Sequence, residues 1–270
     1  MKKNKIILAT YGIGRFPKNK TQHYQELYKI LSQKFEIEII EVRNNIKQFS
    51  NDRSGEINCS LTEDFIFQDS YRIKKDYKNE FHDNLLVRSM EFNDVHEDNY
   101  RSNSNLIQQL LMLQDISNEI KKNNCDYVLS IRDDIFFKPV KLAKCLFKDI
   151  DEKTFVTSVF HSNCGISERF VFGRKRVICK ILKRIDLVED FMKDSSSLSY
   201  ARTSGLNGEY LMRYCCQKDS LKLLCAPIFT KRYRANGIFA RERITLRPKY
   251  LIHEWPSYIG YINYLRKLYF

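Results

Sequence analysis

The sequence has no long hydrophobic run. None of its stretches approaches the roughly 20 apolar residues that a membrane-spanning helix requires. The first residues combine a basic head with only a short apolar segment, which Gly12 and Gly14 follow at once. This start is typical of a first β-strand rather than of a secretion signal. At 270 residues, the chain is long enough for one large α/β domain or two small ones.

The cysteines and histidines also lack a metal-binding spacing. The eight cysteines form no Cys-x-x-Cys pair, and the five histidines do not combine with them at ligand spacing. This pattern argues against zinc motifs and against a disulfide framework. It favours reduced thiols that pack in the protein interior. We therefore expect a cytoplasmic protein.

The glycine motifs that bind nucleotides are incomplete as well. Gly12-x-Gly14 lacks the third glycine of the dinucleotide fingerprint, and no P-loop lysine pattern follows it. A turn is enough to explain two such glycines. These glycines alone therefore identify no nucleotide-binding class, and the chain contains no internal repeat.

Basic residues outnumber the carboxylates. Lysine and arginine total 46 against 33 aspartates and glutamates, which gives a formal net charge of +13. Either the lysines simply solvate the surface, or the protein binds a polyanion such as nucleic acid, an acidic membrane face or a diphosphate substrate. The excess is concentrated after Lys218, where basic residues are interleaved with aromatic residues. This uneven distribution favours a polyanionic partner.

The N-terminal pattern predicts a βαβ unit. Ile6–Thr10 is a short apolar strand, Tyr11–Lys20 is a glycine-containing loop, and Thr21 can cap a helix with apolar residues at helical spacing. Glu36–Val42 then alternates charged and apolar residues, as a strand does. Such a unit pairs its strands in parallel with a right-handed crossover. It places the first loop at the carboxyl edge of the sheet, where open α/β folds bind ligands.

The remaining chain alternates between helix and strand signals. Residues 44–103 are rich in polar residues and predict loops and short helices. From Ser104 a broad apolar stripe predicts a helix that ends at Lys121–Lys122 and runs directly into a buried strand. The later expected elements are a helix over 140–147, strands over 154–160 and 169–173, a helix over 175–187, a glycine-rich turn opening a short helix over 205–212, and a strand over 221–227.

A charged triplet, Arg132–Asp133–Asp134, interrupts the apolar segment Cys125–Phe137. Charges are costly in such a segment unless something binds them there. In an extended chain, Arg132 and Asp134 point to one face and Asp133 to the other. Asp134 could then coordinate Mg²⁺ or Mn²⁺ on a diphosphate while Arg132 hydrogen-bonds the same phosphates, which suits a reaction that leaves charge on a departing diphosphate. The alternative is an ion pair that fixes the strand end.

Later residues offer a candidate base and candidate ligands. Glu209 follows a glycine-containing turn in the first turn of a helix, where the helix dipole alone favours a carboxylate. It is also a candidate base that deprotonates an acceptor hydroxyl. Asn207 is interpreted first as the helix cap and second as an acceptor contact. His161 lies after a predicted strand, and His253, in the aromatic tail, could contact a nucleotide or a metal.

Several of these segments resemble one family. They are a leucine-rich helix with Gln108–Gln109, then Asp126–Val128, Arg132-x-Asp134, Phe170–Gly173 and Asn207–Leu211. Together they resemble bacterial capsule and lipopolysaccharide glycosyltransferases of GT-A type, in which an Arg-x-Asp element stands where many GT-A enzymes have Asp-x-Asp. The resemblance spans roughly residues 100–236 and the N-terminal βαβ unit.

The resemblance implies an α/β fold that is GT-A-like, or Rossmann-like, with a mostly parallel central sheet flanked by helices. It implies one catalytic domain over residues 1–250, with a nucleotide-binding half to about 138 and an acceptor half over 139–250, before a basic-aromatic tail over 251–270. The implied reaction moves a hexosyl or related sugar from a nucleotide-sugar donor to a saccharide acceptor, carried on a polyprenyl diphosphate, in surface polysaccharide synthesis. The amphipathic basic ending suits peripheral contact with the cytoplasmic face of an inner membrane.

The residues expected to carry this function fall into three groups. The expected catalytic residues are Glu209 and Asp134. Donor contacts are expected from Thr10, Tyr11, Gly12, Arg15, Arg132 and Asp133. A metal, Mn²⁺ or Mg²⁺, would be bound by Asp134 and His253, but Arg132 in place of a first aspartate leaves metal dependence open.

Two other functions are open alternatives. A metal-dependent nucleic-acid-binding or nuclease-like protein would bind metal with Asp133 and Asp134 and track phosphates with the basic tail. The sequence lacks a second acidic cluster at a recognisable spacing and any nucleic-acid motif, so we expect no nucleic-acid partner. A non-catalytic interaction protein is favoured if Arg132 and Asp134 are buried against each other.

Overall fold

The computed structural model describes residues 3–16, 21–51, 55–94, 96–146, 150–160, 166–194 and 205–240. The predictions made for His161, for the loop after Asp194 and for the tail with His253 lie outside the described residues. Among the described helices, none combines the length and the apolar character needed to cross a membrane.

Strands and helices follow one another along the described chain. The strands are β1 (Asn4–Gly12), β2 (Phe35–Asn44), β3 (Gln48–Asn51), β4 (Glu56–Ser60), β5 (Tyr71–Lys75), β6 (Tyr127–Arg132), β7 (Ile135–Phe136), β8 (Thr154–Ser158), β9 (Phe170–Arg174), β10 (Lys222–Ala226) and β11 (Lys231–Arg232). The helices are α1 (Gln22–Ser32), α2 (Glu80–Ser89), α3 (Arg101–Lys122), α4 (Pro139–Leu146), α5 (Lys175–Leu182), α6 (Val188–Lys193) and α7 (Gly208–Lys218).

A seven-stranded sheet forms the centre of the molecule, with the strand order β10-β8-β9-β6-β1-β2-β5. Every neighbouring pair is parallel except those of β9, which runs antiparallel to both β6 and β8. The predicted fold class, an α/β fold with a mostly parallel central sheet flanked by helices, is confirmed. The predicted parallel pairing of the first two strands is also confirmed.

Side chains on the two faces of the sheet enter two separate hydrophobic cores. Ile7 and Ala9 of β1 belong to the core that contains residues of α3, α5 and α7. Ile6 and Leu8 belong to the core that contains residues of α1 and α4. Because helices cover both faces, β1 is almost continuously apolar, as buried parallel strands are.

The charged triplet lies at a turn rather than inside one long strand. β6 ends at Arg132, Asp133 and Asp134 form the turn, and β7 leaves the central sheet to pair with β11. Helix α1 holds this turn, because the Tyr24 hydroxyl lies 2.6 Å from the carbonyl oxygen of Arg132 and 3.0 Å from that of Ile135. The apolar run over Cys125–Phe137 therefore contains two short strands, and the three charged side chains lie at the carboxyl end of the first.

Residues 44–103 are more regular than their composition predicts. They include the β3–β4 hairpin, the edge strand β5 and the helix α2. One anchor of this region is Glu41 of β2, whose side chain is buried although the alternating pattern is typical of a half-exposed strand. Its carboxylate accepts hydrogen bonds from the backbone N–H groups of Ile66 and Phe67 and from the Ser70 hydroxyl. A charged residue thus holds a loop to the sheet without a local sequence signal.

Two helix predictions need correction in detail. Thr21 is the N-cap residue of α1, but its side chain makes no capping hydrogen bond. The helix predicted over 175–187 ends at Leu182, and Arg184–Leu187 continue as a 3-10 turn. Arg184 is buried there, so this basic residue faces inward instead of lying on a solvated helix face.

Candidate functional site

The candidate site lies where the strand order of the sheet changes direction. β1 is flanked by β2 on one side and by β6 on the other, and both neighbours run parallel to it. The carboxyl ends of β1 and β6 meet, because Tyr11 is paired with Arg132 and the Asp133 backbone N–H donates to the Tyr11 carbonyl at 2.8 Å. Open α/β sheets bind ligands at such a switch point.

A cavity of about 450 Å³ opens at this edge. Its walls come from the loop after β1, the turn after β6, helix α3, the start of α7 and the segment after β11. The predicted site residues that line it are Tyr11, Gly12, Arg15, Arg132, Asp133, Asp134 and Glu209. Thr10 does not line it: the side chain is buried and its hydroxyl donates to Glu41 at 3.4 Å. The chain segments predicted separately are therefore brought together at one cavity.

Arg132 and Asp134 form a bidentate ion pair. The Arg132 Nε donates to Asp134 Oδ1 at 3.0 Å, and its Nη2 donates to Oδ2 at 2.8 Å. The Asp134 side chain is 4% exposed and that of Arg132 is 18% exposed. Burial by itself raises the pKa of Asp134, but the guanidinium groups of Arg132 and Arg15 outweigh burial and lower this pKa to about 2. This is the geometry expected of an ion pair that fixes the strand end, which was the alternative to ligand binding. Both residues nevertheless line the cavity.

Arg15 lies beside this pair but makes no hydrogen bond to it. Its Nη1 is 3.7 Å from Asp134 Oδ2 and its Nε is 3.7 Å from Glu56 Oε1, which are ion-pair distances beyond hydrogen-bonding range. The Nε is buried and has no hydrogen-bond partner among the residues that the structure describes, and the side chain is only 11% exposed. The guanidinium stacks on the Phe49 ring, 4.0 Å from its centroid. A buried donor without a partner is costly, so this arrangement is one that an anionic ligand would complete.

Two further arginines approach the same point from the end of the described chain. Arg232 lies in β11 and affects the pKa of Asp134 electrostatically. The Arg234 Nη1 is 3.5 Å from Oε2 of Glu56, whose Oε1 accepts from the Ala235 backbone N–H at 2.6 Å. We call Arg15, Arg132, Arg232 and Arg234 the arginine cluster. The sequence placed the last two in a basic stretch but did not predict that they reach this cavity.

Asp133 fixes the loop that follows β1. Its Oδ2 accepts from the Gly14 backbone N–H at 2.8 Å and lies 3.9 Å from the Nε of Arg43. Burial raises the pKa of Asp133 to about 6, with Arg43 opposing and Asp134 adding to the increase. The predicted separation of the two aspartates is thus present, since Asp133 contacts the β1 loop and Arg43 while Asp134 contacts the arginine cluster.

The described residues do not fit a divalent cation at Asp134. Both of its carboxylate oxygens accept hydrogen bonds from Arg132, and Arg15 Nη1 lies 3.7 Å from Oδ2, so a cation at Asp134 would be repelled by two guanidinium groups. Among the described residues, no group of three or more His, Cys, Asp or Glu side chains is placed to hold a metal ion. The other predicted ligand, His253, lies outside the described residues.

Glu209 lies on the cavity wall in the first turn of α7. Asn207 caps this helix, because its side-chain oxygen accepts from the backbone N–H groups of Glu209 at 2.9 Å and Tyr210 at 3.3 Å. The interpretation of Asn207 as the cap is confirmed. Since Asn207 supplies the cap, the Glu209 carboxylate is not needed for that purpose.

Sequence reasoning missed the carboxylate of Glu168, which also lines the cavity. Its Oε2 accepts from Nη2 of Arg184 at 2.8 Å, and the Arg184 side chain is 1% exposed. The Tyr11 hydroxyl donates to the Glu168 carbonyl oxygen at 3.1 Å. The sequence carries no local signal for this contact, because the need of Arg184 for a carboxylate partner follows only from its burial in the structure.

The comparisons with known proteins concern the fold. No protein-family model matches the chain, and no curated protein matches its sequence. Similar solved structures include the apo form of the glycosyltransferase GlyE from Streptococcus pneumoniae TIGR4. It has 11% identity to this chain, the match covers 83% of this chain and 45% of GlyE, and the TM-score is 0.35. A second GlyE structure has 14% identity to this chain, the match covers 77% of this chain and 46% of GlyE, and the TM-score is 0.31.

Another similar solved structure is core-mannan synthase A from Aspergillus fumigatus in its Mn/GDP form. It has 10% identity to this chain, the match covers 93% of this chain and 85% of the synthase, and the TM-score is 0.42. By contrast, the chain spans less than half the length of GlyE, since the matches cover 45% and 46% of that protein.

Proposed function

We propose that the protein is a glycosyltransferase that uses a nucleotide-sugar donor. The observation that carries this proposal is the buried guanidinium of Arg15, which lines the switch-point cavity beside Arg132 without a hydrogen bond at its Nε. A diphosphate supplies the anionic oxygens that such groups bind. A cavity of about 450 Å³ is within the range typical of small-molecule sites.

The donor would lie with its diphosphate against the arginine cluster. Transfer of the sugar leaves an additional negative charge on the departing nucleoside diphosphate. Fixed guanidinium groups aimed at that charge lower the barrier, because they are oriented before the reaction begins. Tyr11 and Gly12, in the same loop as Arg15, would contact the nucleotide.

Glu209 is the proposed base for the acceptor hydroxyl. It lines the same cavity as the arginine cluster but belongs to α7, on the acceptor side of the chain. The Gln109 side-chain Nε2, buried in the cavity wall without a hydrogen-bond partner, is a donor for a sugar or ribose hydroxyl. Glu209→Gln should abolish transfer and leave nucleotide binding unchanged. Equal loss of both would assign Glu209 to donor binding instead.

The finer parts of the proposal rest on the sequence. We propose a saccharide acceptor carried on a polyprenyl diphosphate, a role in bacterial surface polysaccharide synthesis, and peripheral contact with the cytoplasmic face of the inner membrane. The support for membrane contact is the basic and aromatic composition after Lys218, which suits an anionic surface. Sedimentation with anionic vesicles, compared with neutral ones, tests this part separately.

A non-catalytic interaction protein is the second candidate. The bidentate Arg132–Asp134 pair favours it, because two side chains that satisfy each other can serve stability alone. Arg15 favours the transferase, since no hydrogen bond satisfies its buried Nε. Nucleotide binding therefore separates the two functions.

A thermal-shift screen against UDP-, GDP-, CMP- and dTDP-sugars, with and without Mn²⁺, tests the proposal. At least one donor should raise the melting temperature of the wild type, and Arg15→Gln should reduce that shift. Arg88→Gln is the matched control, because Arg88 pairs with Glu189 and lies outside the cavity. If no nucleotide sugar stabilises the protein while salt-sensitive oligonucleotide binding appears, the nucleic-acid alternative replaces this one.

A further inference from the structure

We propose that this site binds the donor diphosphate with arginine side chains in place of a divalent metal ion. The inference rests on the proposed function and specifies how the same site compensates the charge of its substrate. Three observations support it: the hydrogen bonds of the Asp134 carboxylate, the four guanidinium groups around it, and the unsatisfied Nε of Arg15.

The Asp134 carboxylate is already occupied by a protein cation. Both oxygens accept from Arg132, at 3.0 and 2.8 Å, and the Nη1 of Arg15 lies 3.7 Å from Oδ2. A divalent cation at Asp134 would either displace one guanidinium or lie beside both positive charges, and each choice is costly. Asp134 therefore acts as a positioning residue that orients Arg132 towards the cavity.

Four guanidinium groups converge on one part of the cavity. The arginine cluster supplies four guanidinium groups from the β1 loop, the β6 turn and the segment at β11. Among the described residues, ion pairs join the cluster to Asp134 and Glu56. Of the other carboxylates that line the cavity, Asp133 lies against Arg43 and Glu168 against Arg184. Asp94 and Glu209 come from the segment before α3 and from α7.

The arginine cluster suits a diphosphate. The diphosphate of a nucleotide sugar carries two negative charges, which a divalent metal ion commonly neutralises in nucleotide sites. Guanidinium groups can do the same, because they bind phosphate oxygens through paired N–H donors. Arg15 carries such donors in a side chain that is 11% exposed, and its Nε has no hydrogen-bond partner among the described residues. The phosphate oxygens would supply the acceptors that Arg15 lacks.

The reaction balances without a metal ion. The bond between the anomeric carbon and the diphosphate oxygen breaks, and both of its electrons leave with the nucleoside diphosphate. The acceptor oxygen forms the new bond to the anomeric carbon, and its proton passes to the Glu209 carboxylate. The arginine cluster neutralises the negative charge that develops on the leaving diphosphate.

Calorimetric titration of the full-length protein with UDP, GDP, CDP and dTDP, in EDTA and again in excess Mn²⁺, tests the inference. At least one nucleotide should bind with the same affinity in both buffers, to within about threefold. If the affinity in Mn²⁺ is about tenfold or more above that in EDTA, the inference is wrong and the proposed function is unaffected. Absence of binding in both buffers would overturn both.

Variants of single arginines then test which side chains bind the diphosphate in place of a metal ion. Arg15→Lys keeps the positive charge but removes the planar fork, and it should weaken nucleotide binding about 10- to 100-fold in EDTA and in Mn²⁺ alike. Arg88→Gln should bind as the wild type does. If Arg15→Lys weakens binding in EDTA but Mn²⁺ restores it fully, a metal site exists beside the cluster and the inference is wrong.

Discussion

The carboxylate of Asp133 occupies the space into which a side chain at Gly12 would extend. A Cβ atom built on Gly12 would lie 1.9 Å from Asp133 Oδ1 and 2.3 Å from its Cγ. The loop after β1 and the turn after β6 are therefore interlocked at their closest point. The two halves of the proposed donor site cannot shift independently of each other.

Gly12→Ala should disturb this contact. The added methyl group collides with a buried carboxylate, so we expect a loss of about 1–3 kcal/mol in the free energy of unfolding and weaker nucleotide binding. Urea denaturation and calorimetry measure the two effects. Gly55→Asn is the control, because a Cβ there meets no atom within 4 Å and asparagine tolerates its φ of +68°. Equal stability of the Gly12 variant and the wild type would contradict the interlocked arrangement.

Asp133 should make stability fall as the pH rises from about 4 to about 6. Its pKa is about 6 in the folded protein against the ordinary value of 3.8, so the folded state holds its proton longer than the unfolded state. The stabilising contribution is thus complete below pH 3.8 and is lost as the pH passes 6. Asp133→Asn removes this titration.

The measurement is urea denaturation of the wild type and Asp133→Asn at pH 4, 5, 6 and 7. The asparagine variant should gain about 1–3 kcal/mol relative to the wild type across that range. Asp134, with a pKa of about 2, titrates below this window in both proteins. Parallel stability profiles would show that the Asp133 pKa is not raised.

Asp134→Asn should destabilise the protein as well as impair nucleotide binding. The neutral amide cannot accept both Arg132 hydrogen bonds, and it leaves a largely buried guanidinium without its counter-charge. We expect a loss of about 1–3 kcal/mol in unfolding free energy. A double-mutant cycle with Arg132→Gln should give a coupling of about 1 kcal/mol or more. A single variant as stable as the wild type would argue against the ion pair.

Two helix starts should respond differently to loss of the N-cap side chain. Asn207→Ala removes hydrogen bonds to two backbone N–H groups of α7 and should cost about 1 kcal/mol. Thr21 occupies the same position in α1 without a capping hydrogen bond, so Thr21→Ala should cost about 0.5 kcal/mol or less. Thermal denaturation of both variants checks the contrast. Equal losses would show that side-chain capping does not distinguish these helices.

Local sequence patterns were sufficient for the elements that build the switch point. β1, α1 and β2 follow from apolar spacing within a few residues, and α3 followed by β6 does so as well. General rules for parallel sheets then place the loops after β1 and β6 at one edge. For this reason Arg15, Arg132 and Asp134 could be assigned to the same cavity before their contacts were known.

Contacts between distant segments were not predictable in the same way. Glu56 of the hairpin meets Arg234, 178 positions away, and nothing in either local pattern marks the pair. Glu168 follows residues without a periodic signal, and its role depends on the inward direction of Arg184. The antiparallel direction of β9 also follows from how the chain returns to the sheet, which the composition of Phe170–Arg174 does not encode.

The pairing of β11 with β7 also means that the proposed site is completed by residues near the end of the described chain. The Tyr233 backbone N–H donates to the Asp134 carbonyl at 2.7 Å, so residues made late in translation complete a turn made much earlier. β1, β2 and β6 can pair while the ribosome is still adding residues, but Arg232 and Arg234 have not yet been made. A nascent chain would therefore have most of its sheet before the proposed diphosphate site is complete, and a product truncated before Arg232 would lack two arginines of that site.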